Sequence, residues 1–308
     1  MTISRRTLLA AALTSVAVRP ARSSQVDGEM PAAPIRTGAV CLAVGNLALM
    51  TAYYREALGL LLIEGDGRRS IMGAGGVPLL VLESAPGAQP AASGAAGLYH
   101  TAFLMPRRED LGSWVVHAAR TRIPISGASD HSVSEAIYLD DPEGNGIEVY
   151  ADRPSSTWSW FGNTVAMGST ELDIDALYGL GSEQSAWYSA APAGMRVGHV
   201  HLKVGDVDAA MEFYGRLGLV ETRKRDGAGF MASGRYHHHL GLNTWQSAGA
   251  GRRAADALGL RWITFHYADA EVLASTRRSL MEKAVATQTR DGLFLIDDPW
   301  GTQVRLST

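Results

Sequence analysis

Cysteine is almost missing from this 308-residue chain: Cys41 stands alone, so no intrachain disulfide can form and the fold must rest on its core or on bound ligands. An excess of charge is missing too. With 28 Lys and Arg against 31 Asp and Glu, the formal net charge of -3 gives no electrostatic grip on nucleic acid or anionic lipid, and neither is expected as a partner. The apolar run from Leu8 to Val18 is about half the ~20 residues that a membrane-spanning helix needs. What remains is a 46% hydrophobic, 19% charged composition of the soluble globular kind, in a length that suits two ordinary domains.

That short apolar run follows Ser4-Arg5-Arg6-Thr7 and stops at Arg19-Pro20, which resembles a cleavable twin-arginine export signal. Residues 1–30 are therefore expected to be signal and disordered tail, with cleavage between Ala21 and Gln25. The mature protein is expected in the periplasm or outside the cell, with no membrane anchor.

From about Arg36 onward the chain repeats itself. The segment Ala39-Val40-Cys41-Leu42-Ala43-Val44-Gly45-Asn46-Leu47, running on to Tyr54 and Leu58-Gly59-Leu60, parallels His199-Val200-His201-Leu202-Lys203-Val204-Gly205-Asp206-Val207, running on to Tyr214 and Leu217-Gly218-Leu219. Alternation predicts a strand, the Asn or Asp a helix cap, and the glycine the end of the helix. A second pair starts at Leu98-Tyr99-His100 and Leu260-Arg261-Trp262, and closes on the matching turns Asp141-Pro142-Glu143-Gly144 and Asp298-Pro299-Trp300-Gly301. The fold class expected is α+β: four βαβββ modules in two domains, 36–152 and 195–308, two modules in each. Residues 153–194 read as a connector packed on the surface, with Trp158, Trp160 and Phe161 favoured as packing groups over a cover for a site.

Five of the nine histidines fall in the third module, at His199, His201, His237, His238 and His239, and all five are expected on strands. Period-two alternation sends Val200, Leu202 and Val204 to one face and His199, His201 and Lys203 to the other. In the second module His100 stands on the matching first strand. Glu148 stands on the last, where Ile147 and Val149 take the core face and turn it to the same concave side as His100. A carboxylate held there is costly unless something pairs with it, and a metal ion is one answer.

These residues resemble the vicinal oxygen chelate superfamily, and more closely its two-domain catechol 2,3-dioxygenase-like members, over residues 36 to 308. The run Tyr236-His237-His238-His239-Leu240-Gly241-Leu242-Asn243-Thr244-Trp245 carries the resemblance. So does the stretch from Asp130-His131 through Ser134-Glu135-Ala136-Ile137-Tyr138 to Glu148. The resemblance implies a two-His, one-carboxylate metal site of His100, Glu148 and His199, which leaves adjacent positions open and suits Fe(II); Mn(II) would be held by the same triad. It implies His238 as the acid/base residue, with His239 as its substitute because strand phase favours the neighbour. Tyr138 is implied as a hydrogen-bond partner of the oxygenated substrate, and His131 as a further active-site histidine. The partners implied are a small aromatic diol and dioxygen; a homo-oligomer is left open.

One departure from the best-known extradiol enzymes moves the site. The fourth module has Trp262 and Arg305 at the ligand positions and the first has Ala39 and Cys41, so neither domain alone holds three ligands. The set is complete only if the second and third modules share one cup. The function expected is an Fe(II)-dependent extradiol ring-cleaving dioxygenase acting on a catechol-type substrate. The alternatives are an exported protein that binds or sequesters a small molecule, or a metal-dependent isomerase or transferase of the glyoxalase type.

Overall fold

The computed structural model describes residues 33–184, 187–282, 287–290 and 292–308; the expected export signal lies outside them. The first module consists of β1 (Ile35–Val44), α1 (Leu47–Leu58), β2 (Leu61–Gly65), β3 (Arg69–Ala74) and β4 (Val77–Ser84). The second has β5 (Gly97–Leu104), α2 (Arg108–Thr121), β6 (Gly127–Asp130), β7 (Ser134–Asp140) and β8 (Gly146–Asp152). The connector carries a small hairpin, β9 (Trp160–Phe161) and β10 (Thr164–Val165), and helix α3 (Ile174–Ser182). The third module is β11 (Arg196–Lys203), α4 (Val207–Gly215), β12 (Val220–Arg225), β13 (Ala228–Ala232) and β14 (Leu240–Asn243). The fourth is β15 (Gly259–Tyr267), α5 (Ala270–Glu282), β16 (Thr287–Arg290), β17 (Leu293–Asp297) and β18 (Gln303–Ser307).

The expected caps form where the sequence puts them. The Asn46 side chain accepts from the Leu49 amide and that of Asp206 from the Ala209 amide, each supplying a partner to an otherwise orphaned helix N–H. Gly59, at φ 69°, ends α1 in the left-handed conformation that glycine adopts without a Cβ clash.

The eight-stranded sheets do not follow the sequence halves. One sheet runs β12-β13-β14-β11-β5-β8-β7-β6, from the second and third modules; the other runs β16-β17-β18-β15-β1-β4-β3-β2, from the first and fourth. The seam of each is an antiparallel pair, β5 with β11 and β1 with β15. Both cups have the same register. His201 lies opposite His100 in the first sheet and Cys41 opposite Trp262 in the second, while Glu148 pairs with Ala102 as Arg305 pairs with Thr264. Arg305 therefore occupies the position of Glu148, and Trp262 that of His100.

Chemistry separates the cups. In the second sheet Trp262 packs on Cys41 and Val81, and the Arg305 guanidinium lies 3.9 Å above the Trp262 ring, so the concave space is filled by a cation–aromatic stack. In the first sheet the equivalent space is open. Apolar faces of both sheets and of the helices meet in one core, with Val40, Leu42 and Val44 of β1, Val200 and Leu202 of β11, and Tyr54, Trp114 and Tyr214 from the helices. Two helical tyrosines fix the turns that precede the last strands. Tyr54 donates to Asp141 at 2.8 Å and Tyr214 to Asp298 at 3.0 Å, while the second oxygen of each aspartate accepts amide hydrogens from its own turn.

One expectation is corrected. His237, His238 and His239 are not on a strand; they lie in the loop between β13 and β14. Gly234 takes a left-handed φ of 67°, and the His237 carbonyl accepts from the Thr222 side chain while the Ser233 amide donates to the His239 ring; of the three, the His239 backbone, bonded to Met231 and Val200, rejoins the neighbouring strands. Strand alternation does not govern which way these rings turn.

Candidate metal centre

A cavity of about 520 Å³ opens on the concave face of the sheet shared by the second and third modules. Its lining includes His100, His131, Tyr138, Glu148, His199, His201 and His238. Glu148 reaches it from β8, His100 from β5 and His199 from β11, each on the face opposite the core residues beside it. His199 Nε2 is 3.1 Å from Glu148 Oε2, and His100 Nε2 is 2.9 Å from the same oxygen. All three side chains are at least nine-tenths buried.

These atoms fit a divalent ion. Bonds of ~2.1 Å at right angles set neighbouring ligand atoms ~3.0 Å apart. The three ligand atoms lie within 4.8 Å of one another. The His100 contact is not a hydrogen bond: its Nε2 is buried, close to the carboxylate, and without a hydrogen-bond partner among the described residues. A buried ring nitrogen with no hydrogen-bond partner leaves its lone pair available to an ion. Burial would raise the Glu148 carboxyl, but the His199 and His100 imidazoles outweigh it and hold it well below the usual carboxylate range. Burial pushes His199 down, against the pull of Glu148, and so favours the neutral ring that a metal needs.

Three hydrogen-bonded arrangements surround this point. His131 Nδ1 lies 2.8 Å from the Gly168 carbonyl, which can only accept, so Nδ1 carries the hydrogen. His131 Nε2 then accepts from the Tyr138 hydroxyl at 2.6 Å. The Asn243 amide donates to His201 Nε2 at 3.0 Å while its oxygen accepts from the Trp245 amide, and burial, with His100 nearby, holds His201 neutral.

The third arrangement settles which ring nitrogen of His238 is free. Asp152 accepts from His237 Nε2 at 2.8 Å, so in the neutral imidazole His237 Nδ1 is a lone pair. It faces His238 Nδ1 at 2.8 Å, which must therefore donate. His238 Nε2 is left as an unprotonated acceptor on a ring whose centroid lies 4.1 Å from that of His199, tilted 47° to it; burial, with His199 and His237 nearby, pushes the His238 imidazole well below its ordinary value. The other Asp152 oxygen accepts from Tyr236, whose own oxygen accepts from Tyr150. His239 has no place on the cavity wall; it stacks on Tyr236 instead.

The chain carries the glyoxalase/bleomycin resistance protein/dioxygenase signature over residues 36–149 and again over 196–306. It belongs to that superfamily. It is 34% identical over 266 residues, 84% of its own length, to a catechol-2,3-dioxygenase of Bacillus subtilis (strain 168), covering 92% of that protein. The fold is shared with a solved structure from Bacillus subtilis subsp. subtilis str. 168, at TM-score 0.64 and 15% identity over 90% of this chain and 86% of that one. It is also shared with glyoxalase I from Zea mays, at TM-score 0.54 and 17% identity over 88% and 92%. The superfamily's dioxygenase members are the relatives that the sequence identity supports.

Some residues of the site carry no signal in a single sequence. Met167, Gly168 and Ser169 of the connector line the cavity, whereas Trp158 packs under the histidine loop against Tyr236 and His237, and Phe161 is exposed. Asp152 and His237 are 85 positions apart, and only the folded chain brings them together. Arg223 and Arg225 did have a signal. They alternate with buried Thr222 and outward Lys224 on β12, a pattern that places both on the cavity face.

Proposed function

We propose that this protein is a non-haem Fe(II)-dependent extradiol dioxygenase that opens the ring of a catechol-type diol at the bond beside the two hydroxyls, between a hydroxyl-bearing carbon and its neighbour that bears none. The observation that carries the reading is the convergence of His100 Nε2, His199 Nε2 and Glu148 Oε2 on one point at the floor of a cavity that also holds the free nitrogen of His238. His100, Glu148 and His199 would hold the ion. When bound, Fe(II) supplies a Lewis acid that acidifies the diol and a redox centre through which ring and dioxygen exchange electrons. Mn(II) suits the same donor set.

The chain's own residues supply proton handling and placement. His238 Nε2, kept unprotonated by burial and aimed by the Asp152–His237 pair, takes a proton from the diol and returns it to the oxygenated ring. Tyr138, with its hydroxyl bound to His131, stands beside His100 at 5.6 Å between rings and offers its oxygen to a substrate hydroxyl. Tyr99, Phe230 and Trp245 give the ring apolar walls. The twin-arginine motif supports export of the folded, metal-loaded protein; the mature N-terminus of protein recovered from the envelope tests it, a start at Met1 being the contrary result.

The reaction is tested by loading the protein with Fe(II) without air, then adding 4-methylcatechol and dioxygen. One dioxygen consumed per diol, with a yellow ring-fission product, is the expected result. Diol and metal bound with no oxygen uptake above that of free Fe(II) would make it a binding protein.

A further inference from the structure

The walls of the cavity differ in charge. Arg223 and Arg225 of β12 face it from one edge strand, and small polar residues, Ser126, Gly127 and Ser129, face it from the opposite edge around β6. Of the two carboxylates in the lining, Glu148 is buried against His100 and His199, and Asp140 is on the exposed rim at the end of β7. Neither arginine forms an ion pair among the described residues. The Arg223 contact is a long hydrogen bond, 3.4 Å, to the Val165 carbonyl. Arg225 lies across two aromatic faces, 5.7 Å from the Phe230 centroid and 5.6 Å from that of Trp245.

Cation–π attraction at these distances takes up none of the N–H donors of the guanidinium, and those donors can meet a carboxylate with two parallel hydrogen bonds. Two such cations on one wall, with no carboxylate paired to them among the described residues, are an electrostatic cost that an anionic ligand would relieve. The exposed carboxylate of Asp140 would repel the same anion from the rim across the cup, so the charges also give the ligand a direction. A cavity of about 520 Å³ has space for a ring and a side arm together.

We propose that Arg223 and Arg225 form an anion subsite, and that the diol taken by this cavity carries a carboxylate on its ring or on a short arm. This inference rests on the reading of the cavity as a diol site, and it concerns affinity. The test is anaerobic titration calorimetry of the metal-loaded protein with 3,4-dihydroxyphenylacetate and with 4-methylcatechol. The acid is expected to bind at least about tenfold more tightly, as one charge-assisted contact allows. The gap should shrink below about threefold in Arg225→Gln, close in the Arg223→Gln/Arg225→Gln pair, survive in part in Arg225→Lys, and narrow with added salt. Equal affinities in the wild type, or a gap that persists in the double variant, overturns the subsite. Exposing each complex to air separates the two claims. Cleavage of both diols without an affinity gap removes the subsite and leaves the dioxygenase. A gap that obeys the arginines without cleavage of either diol removes the dioxygenase and leaves the subsite.

Discussion

Glu148 and His199 are 51 positions apart and belong to different halves of the chain, yet Oε2 of one lies 3.1 Å from Nε2 of the other. The contact crosses the seam where β5 pairs with β11, so the candidate metal point belongs to neither half. Glu148→Gln keeps the shape of the side chain and removes its charge. It is expected to weaken Fe(II) or Mn(II) binding by on the order of a hundredfold or more, read as metal retained per chain after dialysis. Metal content equal to the wild type would contradict the assignment.

Asp152 touches no cavity atom, and its effect is expected through His237. An asparagine there can present N–H groups to His237 Nε2, which would shift the hydrogen to Nδ1, turn His238 Nδ1 into an acceptor and protonate His238 Nε2. Asp152→Asn should lower kcat by on the order of tenfold or more, with metal content retained and KM moving far less. A loss confined to thermal stability would mean that the chain from Asp152 to His238 only packs the loop.

Gly198 supports the same network from below. A Cβ at this position would lie 1.8 Å from the Tyr150 hydroxyl and 3.0 Å from Leu104 Cβ, and the hydroxyl cannot retreat without leaving Tyr236. Gly198→Ala is expected to cost about 1–3 kcal/mol, seen as a lower urea midpoint at unchanged slope.

His239 gives the fold a definite response to acid. Burial, with His237 and His199 nearby, pushes its ring down to about 3 from an ordinary value of 6.5. Between those values the unfolded chain binds a proton that the native state refuses, so this group's stabilising contribution is complete above pH 6.5 and falls by about 1.4 kcal/mol per pH unit below it. Thermal melts should therefore decline from pH 6.5 downward, and His239→Gln should flatten that decline. Parallel profiles for variant and wild type would count against it.

How much of this was legible in the sequence depends on whether a residue sits on a strand. His100, Glu148 and His199 could be read because alternation fixes their face and the repeat shows Trp262, Arg305 and Ala39 at the same register. The shared cup could be read because no half holds three ligands. His237, His238 and His239 were misplaced because their loop turns at Gly234 and is held in part by side-chain hydrogen bonds, which have no period. The orientation of His238 depends on Asp152, a partner that only the tertiary fold supplies. The filled second cup lies between these cases: the loss of ligands was visible, but the Trp262–Arg305 stack in their place was not.

Diffraction from crystals soaked in Mn(II), recorded at a wavelength where manganese scatters anomalously, tests the central claim most directly. One peak is expected on the concave face of the sheet shared by the second and third modules, at bonding distance from His100 Nε2, His199 Nε2 and a Glu148 oxygen together. A peak bound by only one of the three, or a metal held in the cup of Trp262 and Arg305, would contradict it.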